Sequence, residues 1–223
     1  MSNDISMIAL LSFATLLPFL IASGTCYIKF SIVFVMLRNA LGLQQVPSNM
    51  TLNGVALLLS FFVMMPVVHS AYSYYQEHPV SFNSVDAVVE FTDTGLQEYR
   101  VYLEKHTDPE LTQFFERAQL EREDRVEREQ GYADAEAPRA SLFSLLPAYA
   151  LSEIKSAFKI GFYLYLPFVI VDLVISSILL ALGMMMMSPV IISVPIKLIL
   201  FVALDGWTLL STGLIGQYLE LTF

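Results

Sequence analysis

A single cysteine in 223 residues, Cys26, excludes an internal disulfide and leaves no cysteine cluster to hold a metal. Charge is almost as scarce. Only 15% of the residues are Asp, Glu, Lys or Arg and 56% are hydrophobic, a balance outside that of ordinary soluble domains. The three histidines, His69, His78 and His106, stand singly, with no phosphate-binding glycine loop, zinc-ligand spacing or nucleophile and base to accompany them. The sequence therefore argues against an enzyme and predicts neither cofactor nor metal. It also lacks the basic excess that nucleic-acid binding requires, since the formal net charge is −9.

The charges that are present gather in one place. Glu77 to Arg139 holds 16 of the 21 acidic and 7 of the 12 basic residues, so this insert carries the whole net charge and the rest of the chain is neutral. The insert reads as helical. Thr107 and Asp108 cap a helix begun by Pro109, and Leu111, Phe114, Phe115 and Ala118 follow at i, i+3, i+4, i+7 spacing. Glu121 with Arg125 and Asp124 with Arg128 form acid-before-base pairs, Gly131 ends the helix, and "GYADAEAPRAS" reads as a loop.

Four apolar segments surround the insert: Ile5 to Leu37, Val55 to Tyr75, Ile160 to Leu182 and Val190 to Leu210. Each has at least 21 residues, and about 20 helical residues cover a bilayer's hydrocarbon core. Met1 to Asp4 lacks the basic residues of a secretory signal, so the first segment reads as a retained helix. Lone Arg38 and the uncharged Gly183 to Pro189 turn place both short turns inside and the acidic insert outside. The organisation expected is all-α: residues 1–76 a hydrophobic helical hairpin, 77–140 the acidic insert, and 141–223 a second hydrophobic hairpin.

These helices differ from lipid-facing ones. Pro18, Pro66, Pro167 and Pro195 are expected to interrupt them, as are Gly24 and Gly161. Lys29, His69, Asp172, Lys197 and Asp205 lie within or beside them, and an Asp or Lys at a helix centre costs roughly 2.5 to 3.5 kcal/mol on insertion scales. Such residues face protein or water, so the helices are expected to pack against partners. In the second hairpin Gly183 stops one helix, Ser188 caps the next and Pro189 begins it, which makes Met184, Met185, Met186 and Met187 the turn. Asp172 lies 11 residues before Gly183 and Lys197 lies 8 after Pro189, depths of about 16 and 12 Å at 1.5 Å per residue. A long lysine stem covers that mismatch, so an Asp172–Lys197 ion pair is expected, within one hairpin or between neighbouring copies. Asp205 is the weaker partner for Lys197, because eight residues turn the two about 80° apart on a helix. Glu153 and Lys155 are read as beginning the third helix, where they and Lys159 are interface charges or a polar end, and Tyr72, Tyr74 and Tyr75 as an interfacial belt or subunit packing. Residues alone leave the methionines as core packing and allow an ion channel or secondary transporter that uses Asp172 and Lys197, or a membrane scaffold.

Four blocks narrow these alternatives. "RNALGLQQVPSN" (Arg38 to Asn49), "LPAYALSEIKSAFKIGF" (Leu146 to Phe162), "PFVIVDLVISSILLALGMMMMSP" (Pro167 to Pro189) and "PIKLILFVALDGW" (Pro195 to Trp207) resemble the signature blocks of the SctR/FliP family of type III secretion export-gate proteins, most of all its SpaP-type injectisome members. The likeness covers nearly the whole chain apart from the acidic insert. It implies a ring of helices built from five copies with four of a small SctS-like subunit and one SctT-like subunit, through which unfolded polypeptides leave the cytoplasm. It also implies a larger export-apparatus subunit and a needle-complex base as neighbours, and insertion in the inner membrane followed by assembly largely on the periplasmic side. Met184 to Met187 match the family's pore gasket. Methionine suits that task, because its unbranched thioether is apolar, polarisable and rich in rotamers. Apolar constrictions also resist ion leakage by dewetting.

Overall fold

The computed structural model describes residues 11, 15, 18–77, 94–130, 142–184 and 186–219, with the side chains of 122–130 and 143 left aside. Among the described residues the structure is helical without strands: α1 Pro18–Gly24, α2 Tyr27–Ala40, α3 Asn49–Glu77, α4 Gln97–His106, α5 Pro109–Gln130, α6 Leu142–Ala181, α7 Pro189–Ala203 and α8 Gly206–Leu219. The all-α reading is thus observed. α3 and α6 are each long and apolar enough to cross a membrane, and two bent pairs, α1 with α2 and α7 with α8, pass the same test when each is taken as one span. Of the most apolar stretches of α3 and α6, only 28% and 11% are buried within the chain, so most of that surface is left for lipid or other proteins.

Among the described residues one expected interruption, Gly24, falls at a break as the last residue of α1, whereas Gly161 and three of the prolines lie inside helices. α3 runs through Pro66, α6 through Pro167 and α7 through Pro195. One lost hydrogen bond does not end a helix of 29 or 40 residues whose turns on either side remain bonded. The breaks lie instead at Thr25 and Cys26, where the axis turns by 76°, and at Leu204 and Asp205, where it turns by 60°. Asp205 takes a left-handed φ of 49°, accepts a hydrogen bond from Thr208 Oγ1 at 3.0 Å, and so starts α8. The apolar run Val190 to Leu210 is therefore two helices. Conversely, Glu153 and Lys155 do not begin a helix, because α6 starts at Leu142. Leu145, Ala148, Tyr149, Ser152 and Ala157 are buried along it at helical spacing, a packing stripe that hydropathy averaging hides.

The chain forms two compact units, Met1–Ile28 with Met64–Ile154, and Lys29–Val63 with Lys155–Phe223. In the first, α4 packs its stacked Tyr99 and Tyr102 rings, 6.4 Å apart, towards the α1 end and α6. Tyr99 Oη donates to the Gly24 carbonyl at 2.8 Å, and the hydroxyls of Tyr102 and Tyr149 lie 2.7 Å apart. A side chain at Gly24 would meet the Tyr99 hydroxyl and displace it from the Gly24 carbonyl. Burial pushes Tyr99 up to about 12; Tyr102 is raised further, first by burial and then by Cys26 and Glu153 nearby. Asp108 caps α5 by accepting from Glu110 N at 3.1 Å, while its own amide donates to Ser152 Oγ at 2.8 Å. The Glu121–Arg125 and Asp124–Arg128 pairings, the Gly131 stop and the loop after it lie outside the described side chains and residues, as does His78. The second unit has a core of Leu37, Leu41 and Phe201, with Leu43, Phe168 and Leu210 packed on it. Trp207 closes it edge-on against Phe34 and Phe201 at 6.1 and 5.5 Å, and Lys29 stands 4.6 Å over the Tyr218 ring.

Candidate functional site: the methionine turn and its support

α6 ends in a turn that its own residues dictate. Gly183 has φ 73°, Gly183 N bonds Leu180 O and Met184 N bonds Leu179 O, both at 3.0 Å. This is the doubled closure that satisfies the last carbonyls of a helix around a left-handed glycine. A further bond from Met187 N to Met184 O, at 3.2 Å, tightens the turn. Pro189 then begins α7 in a position that needs no donor, while Ser188 precedes it without the expected side-chain capping bond. Met184 and Met187 are exposed and Met186 is fully so, and Met185 lies outside the described residues. Three apolar side chains at the tip of a hairpin thus reach out of their own protomer.

Behind the tip lies the charged brace. Lys197 Nζ is 2.6 Å from Asp172 Oδ2, joining α7 to α6 within one chain. The lysine side chain is 5% exposed and the aspartate 43%. Nζ also donates to Ala40 O at 3.1 Å, on the last residue of α2. A cation at a helix C-terminus meets the negative end of the helix dipole and satisfies an orphan carbonyl, so one ammonium ties three helices at a single point. Sequence reasoning missed Ala40. The available signal was "NALGL", a helix end that leaves carbonyls in need of a donor.

α2 and α7 run antiparallel, and their contacts step in register: Leu37 shares a cluster with Phe201, Ala40 bonds Lys197, and a side chain at Gly42 would meet Val194 Cγ2 at 2.6 Å. α2 therefore leads towards the end of the unit from which the methionine turn projects. It ends in the same kind of closure, with Gly42 at φ 80°, Gly42 N on Asn39 O at 3.0 Å and Leu43 N on Arg38 O at 3.2 Å. Arg38, itself buried, donates from Nη1 to Pro47 O at 3.1 Å and pins the following loop.

The remaining sequence-predicted residues do not join this site. Asp205 spends its carboxylate on Thr208, and Glu153 is buried in the first unit beside Tyr102. Lys155 and Lys159 are exposed on α6. Among the described residues no group of His, Cys, Asp and Glu is arranged to hold a metal.

Comparison with known proteins agrees along the whole chain. It is 69% identical over 222 residues to the surface presentation of antigens protein SpaP of Salmonella typhimurium, covering 99% of each. It is 66% identical over 221 residues to the SpaP of Shigella flexneri, again covering 99% of each, and 47% identical over 216 residues to Yop proteins translocation protein R of Yersinia pestis, covering 97% of each. Residues 10–214 match the FliP family. The chain belongs to the FliP family, the type III secretion family that its own sequence blocks resemble.

Proposed function

We propose that this chain is a core subunit of the type III secretion export gate, and that it forms, with two other membrane subunits, the pore through which unfolded proteins leave the cytoplasm. Its relatives are named for protein translocation and antigen presentation, which supports the secretion role in general terms. The observation that carries the finer reading is the hairpin tip: Met184, Met186 and Met187 are exposed on a turn closed around Gly183 and braced by Lys197. Apolar tips from neighbouring copies meet on an axis and close it against water, and their soft side chains yield to a passing polypeptide. Met185 belongs to the same gasket. The Asp172–Lys197 pair is a structural brace in this reading, not a transport site.

Five copies assemble with SctS-like and SctT-like subunits in the inner membrane, beside the larger export-apparatus subunit and within the needle-complex base on the periplasmic side. The extent of outward-facing apolar surface supports partners of this kind. So does an apolar groove of about 500 Å³ in the second unit, lined by residues such as Leu37, Tyr163, Phe201 and Leu210. Co-expression with the two other subunits, followed by native mass measurement, tests the assembly. A stable complex holding several copies of this chain is expected. A clean monomer stabilised by a small solute or ion would instead favour a transporter.

A further inference from the structure

We infer that the Gln44–Asn49 turn forms an uncharged polar collar beside the methionine tip, and that a polypeptide in passage touches both. This inference rests on the export-gate reading and assigns a role to a second turn of the same end. The antiparallel steps from Leu37–Phe201 through Ala40–Lys197 to Gly42–Val194 lead the chain along α7 towards its N-terminus. Gly42, opposite Val194, already lies level with the second turn of α7, and the loop after it is tied to the end of α2 by Arg38. The loop that follows is outward-facing: Gln44, Gln45, Val46, Ser48, Asn49 and Met50 are exposed, Val46 at 73% and Met50 at 87%. It is held in place, since Pro47 O accepts from Arg38 and Ser48 Oγ caps α3 by accepting from Thr51 N at 3.2 Å.

Its chemistry fits an extended chain. No Asp, Glu, Lys or Arg occurs between Arg38 and Glu77, and none between Asp172 and Lys197, so neither turn itself carries a formal charge. Amide side chains both donate and accept hydrogen bonds. A polypeptide that enters an apolar constriction loses water from its backbone N–H and C=O groups, an expense unless partners replace it. Gln44, Gln45 and Asn49 offer such partners whatever the passing sequence. A charged collar would instead attract one class of substrate and repel another, most strongly in a narrow site of low dielectric.

Site-directed photo-crosslinking in the assembled complex tests this, with an exported polypeptide arrested in transit by a stably folded fusion domain. A photoreactive residue is placed in turn at Val46, at Met186, and at Leu58 as an exposed control farther along α3. Crosslinks to the arrested polypeptide are expected from Val46 and Met186, with the Leu58 signal at background. Crosslinking from Met186 alone overturns the collar and leaves the gasket intact; crosslinking from neither position removes the export-gate reading itself. A second variant guards against misplacement of the bulky probe. Gln45→Glu is expected to slow an acidic polypeptide roughly tenfold relative to a basic one while leaving assembly unchanged. Equal rates for the two substrates would overturn the inference.

Discussion

The two units bury polar groups in different ways. Around Tyr102 the hydroxyls make neutral hydrogen bonds, Tyr102 with Tyr149 and Tyr99 with the Gly24 carbonyl, and the buried carboxyl of Glu153 lies nearby. Around Lys197 a full charge is enclosed among apolar helices, matched by a half-exposed carboxylate and one backbone oxygen. Removing one member of a neutral buried pair costs about 1–3 kcal/mol, whereas an enclosed cation left without its counter-ion costs about 3–5 kcal/mol. Loss of one tyrosine hydroxyl in the first unit should therefore cost less than loss of the Lys197 counter-ion in the second.

Asp172→Ala breaks the comparison hardest. It strands the Lys197 ammonium on Ala40 O alone and is expected to cost about 3 kcal/mol, the low end for a buried pair because Asp172 itself is partly exposed. Asp172→Asn keeps an acceptor and should lose clearly less, and thermal unfolding of the purified complex reads both. Tyr149→Phe removes one neutral hydrogen bond from the tyrosine core and is expected to cost about 1 kcal/mol by the same measurement. Asp205→Ala gives up the Thr208 bond at a left-handed φ, again about 1 kcal/mol, while Asp205→Gly recovers the backbone part.

The smallest effect is one of pH. Tyr99 ionises near pH 10 when unfolded and is pushed up to about 12 by burial. Its neutral form is thus favoured in the fold, so its stabilisation is complete below pH 10 and is lost as pH rises towards and through 12. Tyr99→Phe should flatten the fall in stability between those values in an alkaline unfolding series. An unchanged slope would show that other groups control that window.

How legible this was depended on whether the determinant was local. Gly183 and Pro189 specify their turn through backbone preferences of adjacent residues, so the methionine turn was readable. The Asp172 and Lys197 depths followed from helix rise and a shared turn. The break after α1 was readable from Gly24, but the one at Leu204 and Asp205 was not, because the strongest breaker in a single sequence is proline, and here Pro66, Pro167 and Pro195 sit inside helices. One break instead uses Asp205 as its own cap, and the other is held by Tyr99 from 75 residues away. The start of α6 was hidden for a related reason: Glu153 and Lys155 lower the hydropathy of a stretch whose packing stripe is carried by Leu145, Ala148 and Tyr149. Ala40 could not be found from its side chain at all, since its part in the brace is a carbonyl.

Ion flux through the assembled complex, followed as collapse of a membrane potential, tests the account most directly. Joint replacement of Met185, Met186 and Met187 by glycine should raise the leak while the complex still assembles, since the braced hairpin remains and only its yielding tips are gone. Flux indistinguishable from that of the native assembly would contradict the seal.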